Sequence, residues 1–347
     1  MTDISRRNAL GLMGASALTL ATGMPARAQS SRLVVGTYGG DSQRFFTDAV
    51  TTPLLTPKGI NVVIDAAVDG PRELKLQAER NLPRGSYDVI QGQASVMFRL
   101  YDQGLLDTLD PSKITGYDQI EAAIRTNYAI PQTVTARGVL YNTEFVKTPP
   151  TSYADLWSPE LEGKVGLIDQ HFLMAMTAAS LANGGSVSDL EPGKAKLMEL
   201  KKKGVKIYPS NEAFGQALST GEIWAGIMIQ SRAVMWANGG SKIGFCYPKE
   251  GTIFDWWGFG IPKNSRNKQA AYVLLNAIIA DSAQAIWSVN MGTTPVTTSA
   301  LAKIDSAHAA KVALPENAKS HVLKIDEEYL LKNFKPLKDW WDRDFKA

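Results

Sequence analysis

VTARGVLYN, residues 134–142, is the segment on which the chain divides. Its β-branched and aromatic residues predict a strand, and this strand leaves one series of alternating elements to open another. Ahead of it, strands are expected at 32–38, 60–67 and 87–91, with helices through Phe45 and Phe46 and at 72–80 and 96–103. Beyond it, a fresh series begins at Tyr153-Ala154-Asp155-Leu156-Trp157. Strands are expected there at 164–169, 205–208, 223–229, 243–247 and 257–262, with helices at 172–182, 194–202, 212–218 and 231–237. Short apolar strands alternating with helices predict a layered α/β architecture.

A chain of 347 residues exceeds a comfortable single core, so two lobes are expected. We place the first at 29–134 plus 263–300 and the second at 138–260 plus 305–347. Apolar periodicity predicts one long helix over 268–289, returning to the first lobe, and an amphipathic helix over 325–345 whose Trp340-Trp341 pair packs inside.

Residues 1–28 read as an export signal: Arg6-Arg7, an apolar run over 9–23, and the small-x-small site Ala26-Arg27-Ala28. Ser5-Arg6-Arg7-Asn8-Ala9-Leu10 is similar to a twin-arginine signal, with Ala9 and Gly11 departing from it and a general secretory signal as the other route. The run is short and broken by Gly11, Gly14 and Gly23, a poor fit to a bilayer span of roughly 20 residues. A soluble periplasmic protein is therefore expected.

The chain carries a formal charge of +3, of which Arg6, Arg7 and Arg27 against Asp3 account for two. The remainder is nearly balanced, which argues against nucleic acid as a partner, since phosphate binding needs a concentrated basic surface. Cys246 is the single cysteine, so no intramolecular disulfide framework or cysteine-rich metal site can form. The three histidines, His171, His308 and His321, lack the spacing of metal ligands. No G-x-S-x-G elbow, phosphate loop or G-x-G-x-x-G turn occurs, and Gly39-Gly40 reads as a tight turn or a ligand edge at the following helix. No cofactor and no catalytic residue are expected.

Five further landmarks stand in order: Tyr87-Asp88-Val89-Ile90 followed by Gly104-Leu105-Leu106-Asp107, Gly138-Val139-Leu140-Tyr141-Asn142-Thr143, Tyr153-Ala154-Asp155-Leu156-Trp157, Gly163-Lys164-Val165-Gly166-Leu167, and Ile261-Pro262-Lys263 before a long helix. In this order the chain resembles the solute-binding proteins of ABC importers, type II periplasmic binding fold, in the spermidine/putrescine-binding family. The resemblance implies two lobes joined by a hinge, a ligand between them, and a closed form that docks on a membrane permease.

Where that family holds polyamines with acidic and aromatic residues, this chain departs from it. Gln170 and Leu173 stand at acidic positions, with Asp169 kept just before them; Ile229 stands at a tryptophan; Asp255 and Trp257 exchange the aromatic and acidic places of a W-x-D motif. Arg232 follows, at the start of a helix, where a guanidinium fork and the helix dipole together suit a carboxylate. Asp255, beside Trp256 and Trp257, suits an ammonium held by an ion pair and aromatic faces.

This pairing resembles the γ-aminobutyrate-binding subgroup and implies a small zwitterion whose charges lie apart. Tyr38, Gln91, Gln93, Asp169, Gln170 and Gln230 complete the expected pocket. A polyamine or an opine-like carboxylate is the alternative ligand; an exported enzyme and a sensory binding protein are the alternative classes. A monomer delivering its ligand to an inner-membrane permease is the expected form.

Overall fold

Residues 31–347 are described by the structure, a computed structural model; the expected export signal lies outside the described residues. In chain order the first elements are β1 (Ser31–Thr37), α1 (Asp41–Phe46), β2 (Ile60–Ala66), α2 (Asp69–Ala78), β3 (Val89–Gln93), α3 (Ala94–Asp102) and β4 (Ile130–Asn142). There follow β5 (Val165–Ile168), α4 (Phe172–Ala182), α5 (Glu191–Lys202), β6 (Lys206–Tyr208), α6 (Asn211–Ser219), β7 (Ala225–Ile229), α7 (Gln230–Asn238), β8 (Ile243–Cys246) and β9 (Thr252–Gly260). The chain ends through α8 (Lys268–Ile278), α9 (Asp281–Met291), α10 (Thr298–Leu301), α11 (Ser306–Val312), α12 (Glu316–Ser320), β10 (Val322–Leu323) and α13 (Glu327–Trp340).

The strands follow the order β2-β1-β3-β9-β4-β7-β5-β6, with β10 beside β9 and β8 beside β4. β1 pairs parallel with β2 and β3, while β9 runs antiparallel between β3 and β4. β4 changes partner partway along. Residues Ile130–Ala136 pair with β9, and from Arg137 the same strand pairs with β7 and then β8.

Two sets of apolar packing flank this change. Leu33, Val35, Phe46, Met97, Phe259 and Leu274 belong to one core, and Val139, Leu167, Leu197 and Trp341 to another, while Leu140, Phe214 and Met228 form a third cluster. Val139 and Leu140, adjacent in β4, thus enter different clusters on opposite faces. A strand covered on both sides reads as a continuous apolar run, and all of β4 is buried. Gly138 is required at this point, because a Cβ there would run into the carbonyl oxygen of Cys246 on β8.

Two expectations need correction. The strand expected at 257–262 begins at Thr252, so Asp255 lies in mid-strand opposite Thr135. β9 runs between its two neighbours, paired with β3 on one side and β4 on the other. The long helix over 268–289 is broken between α8 and α9 by a bend of 61°. Gln284 explains the break: its Nε2 donates to the carbonyls of Ile278 and Gln132, both at 2.7 Å, and its Oε1 accepts from the Val296 N–H at 2.9 Å. The carbonyl left over at the end of α8 thereby finds a donor.

α13 lies within the expected 325–345 helix and passes into a wider turn through Phe345. It docks Leu330, Leu337, Trp341 and Phe345 into the second core, and Asp326 caps its start by accepting the Tyr329 N–H at 2.8 Å.

Candidate functional site

Arg137 stands at the first residue of the β4–β7 ladder and Asp255 in the β4–β9 ladder, two residues from it in register. The guanidinium grips the carboxylate with two parallel bonds: Nε donates to Oδ2 at 2.7 Å and Nη2 to Oδ1 at 2.6 Å. Burial works against the arginine's charge, and the facing carboxylate outweighs it, holding the guanidinium above its ordinary pKa. A buried pair satisfied in this fork–fork manner is stable as a unit and costly to break.

This pair lines a cavity of about 540 Å³. Gln93 and Ser95 contribute from the β3–α3 junction, Gln170, His171 and Phe172 from the β5–α4 junction, and Glu327, Leu331 and Phe334 from α13. A second cavity of about 540 Å³ lies against Phe254 and Trp256. Strand alternation places those two side chains on the face of β9 opposite Asp255. Only the first brings together the Arg137–Asp255 pair, two glutamine amides and an imidazole with aromatic walls, the composition of a small-molecule site.

α7 begins beside the pair. The Ser231 N–H donates to Thr135 Oγ1 at 3.0 Å, fixing the first turn of α7 against β4. Arg232 follows. Among the described residues it has no hydrogen-bond or ion-pair partner, and burial pushes its pKa down, opposed by the more distant Glu212. Its charge reaches His171, whose imidazole is held below its ordinary pKa first by burial, against the hydrogen bond to Asn211 Oδ1 at 2.9 Å.

Of the residues expected from sequence, Asp255, Gln93 and Gln170 line the cavity. Trp257 shares the Asp255 face of β9, opposite Gln93, and Arg232 is not among the residues that line the cavity. The other five are engaged elsewhere. Tyr38 donates its hydroxyl to both oxygens of Asp69, at 2.7 and 2.6 Å, under the Arg72 guanidinium 4.4 Å from its ring. Gln91 accepts from the Thr37 hydroxyl and donates to Gln132 Oε1 at 2.7 Å, inside the core. Asp169 accepts from Trp341 Nε1 and Lys346 Nζ, both at 2.8 Å, and so anchors the end of the chain. Gln230 donates to the Lys311 carbonyl at 3.0 Å. Trp256 is buried on the far face of β9.

Sequence reasoning missed Arg137, His171 and Glu327. Arg137 carried a signal, because a charge inside an apolar strand requires a buried partner. Glu327 carried none, since a glutamate in the first turn of an amphipathic helix is ordinary.

A family model described as bacterial extracellular solute-binding protein matches residues 58–316. The spermidine/putrescine-binding periplasmic protein of Escherichia coli (strain K12) is 27% identical over 209 residues, 56% of this chain and 59% of that protein. The chain thus spans about three-fifths of the length of that relative. The gamma-aminobutyric acid-binding protein of Pseudomonas aeruginosa is 24% identical over 288 residues, 80% of each chain. A solved structure of a GABA receptor superposes with a TM-score of 0.78 at 22% identity, covering 90% of this chain and 97% of that one. That likeness shows the fold, which is the type II periplasmic binding fold. Matched over more than half its length by that model, the chain belongs to the bacterial extracellular solute-binding protein family.

Proposed function

We propose that this protein captures a small ω-amino acid of the size of γ-aminobutyrate in the periplasm, as a monomer, and delivers it to an ABC permease of the inner membrane. Residues 1–28 would direct its export. The chain on either side of Arg137 would form two lobes that close over the ligand about β4 and β9, the two strands that run between them. Arg232 carries the proposal: it is a half-buried cation with no hydrogen-bond or ion-pair partner of its own among the described residues, and burial pushes its pKa down. A buried cation without a partner is costly unless a carboxylate arrives. Asp255, its charge already matched by Arg137, cannot supply the acidic surplus that a diamine needs.

The gamma-aminobutyric acid-binding relative and the GABA receptor neighbour support the same ligand class. The neutralised Asp255 favours one second reading, a plain or opine-like carboxylate with no ammonium to place. Calorimetric titration of the exported form with γ-aminobutyrate, butyrate, putrescine and α-amino acids tests both. Preferred binding of γ-aminobutyrate is expected; equal affinity for butyrate would favour the second reading, and preferred binding of putrescine would overturn the first.

A further inference from the structure

The cavity wall holds two bidentate ion pairs and one carboxylate outside them. Arg137 takes both oxygens of Asp255. Arg99, the other guanidinium lining the cavity, gives Nε and Nη2 to Glu73 at 2.7 and 2.8 Å. Glu327, in the first turn of α13, faces the same cavity with no hydrogen-bond or ion-pair partner among the described residues. β10 leads to it: Val322 and Leu323 pair with Thr252 and Ile253 of β9 and line the second cavity, and Glu327, at the start of the helix that follows, lines both cavities. Phe334, one face of α13 further on, packs edge-on to Phe172 at the cavity rim and is 47% exposed. A half-buried carboxylate without a partner, in a wall that also carries Phe98 and Phe334, is suited to receive a cation.

We propose that Glu327 is the anchor for the ligand's ammonium group, with the Arg137–Asp255 pair as an electrically neutral neighbour that positions it. This rests on the reading that the ligand carries an amino group, and it adds the C-terminal helix to the binding site. Burial pushes the Glu327 carboxyl up to about 7, opposed by Arg137 and assisted by Asp255. Arg99 and Asp326 act on it more weakly, His171 and Lys335 share its wall of the first cavity, and Arg125, Tyr128, Lys324 and Glu328 share its wall of the second. An arriving ammonium therefore drives Glu327 to ionise, and its proton leaves to solvent.

Calorimetric titration with γ-aminobutyrate and separately with putrescine, between roughly pH 5.5 and 8.5 and in buffers of different ionisation enthalpy, reads affinity and proton release together. The wild type is expected to release protons near pH 7 and to bind more tightly as pH rises through that point. Glu327→Gln, folded across the same pH range, is expected to lose roughly tenfold or more in affinity and all of the proton release. Unchanged affinity and proton release in Glu327→Gln would overturn the assignment while leaving the ω-amino acid reading intact. Should the variant fail to fold, the wild type decides alone: no proton release near pH 7 overturns it. Binding of putrescine but not γ-aminobutyrate, still dependent on Glu327, would uphold the anchor and sink the ω-amino acid; binding of neither would sink both.

Discussion

Arg137 and Asp255 face each other across the register of β4 and β9, joined by two bonds of 2.7 and 2.6 Å, with 9% and 3% of their side chains exposed. Each strand continues from one ladder into another part of the molecule, and the ion pair fastens them where β4 changes partner. Removing one member leaves the other charge buried alone, at a cost of about 3 to 5 kcal/mol. Asp255→Ala and Arg137→Ala are each expected to lose that much in chemical denaturation. An apolar replacement of both, Arg137→Met with Asp255→Leu, should recover most of it. A double variant no more stable than the singles would show that the pair is not the coupled unit described.

Arg232 is predicted to act on binding rather than on folding. Arg232→Ala removes an unpartnered, half-buried cation, so stability should hold or rise. Affinity for γ-aminobutyrate should fall by about 2 to 5 kcal/mol, because a carboxylate would be left without its partner. Arg232→Lys should restore part of it as a point charge without the fork. Calorimetry alongside a thermal melt separates the two effects, and a loss of stability with unchanged affinity would make Arg232 a structural residue.

The strands and helices were legible because the patterns that specify them are local. β1, β2, β7 and β8 begin and end within two residues of the expected bounds. The site was less legible because its residues are joined by register, not by spacing. Arg137 and Asp255 lie 118 positions apart, and only the antiparallel pairing of β4 with β9 brings them together. Reading Asp255 as a residue ahead of a strand left it free for a ligand; placing it inside β9 gave it a guanidinium. Asp169 likewise belongs to Trp341 and Lys346, a partnership 172 and 177 residues long that no motif records.

Glu327 gives the folded state a pH signature of its own. Its folded pKa lies near 7, above the ordinary glutamate value, through burial. Folding therefore favours the protonated acid: the contribution is fully present below the ordinary value and is lost as pH rises through about 7. Unfolding free energy without ligand should decline across that window by at most about 3 kcal/mol relative to Glu327→Gln, which carries no such dependence. Denaturation at pH 4.5 and pH 8, on both proteins, measures the difference.

Cys246 provides a test of packing at the β4–β8 ladder. It pairs with Val139 and is buried, and burial pushes its thiol up to about 12. Since the thiolate is the reactive form, the native protein should resist a thiol reagent at pH 8 and react fully in denaturant. Rapid native labelling would show that β8 opens readily from β4.

Gln284 sits where the expected long helix breaks, and its three bonds tie α8, β4 and the segment after α9 to one side chain. Alanine there leaves the Ile278 and Gln132 carbonyls and the Val296 N–H without this partner in a buried setting. Each such group costs about 1 to 3 kcal/mol when unsatisfied, although water or a small shift recovers part of it. Gln284→Ala should therefore destabilise by several kcal/mol, and Gln284→Glu should fare no better, because a carboxylate accepts from Val296 but cannot donate to two carbonyls. Leucine fills the volume and offers no donor, so it should resemble alanine if the hydrogen bonds set the bend. If leucine matches the wild type in denaturation, packing holds the α8–α9 bend and the amide is incidental.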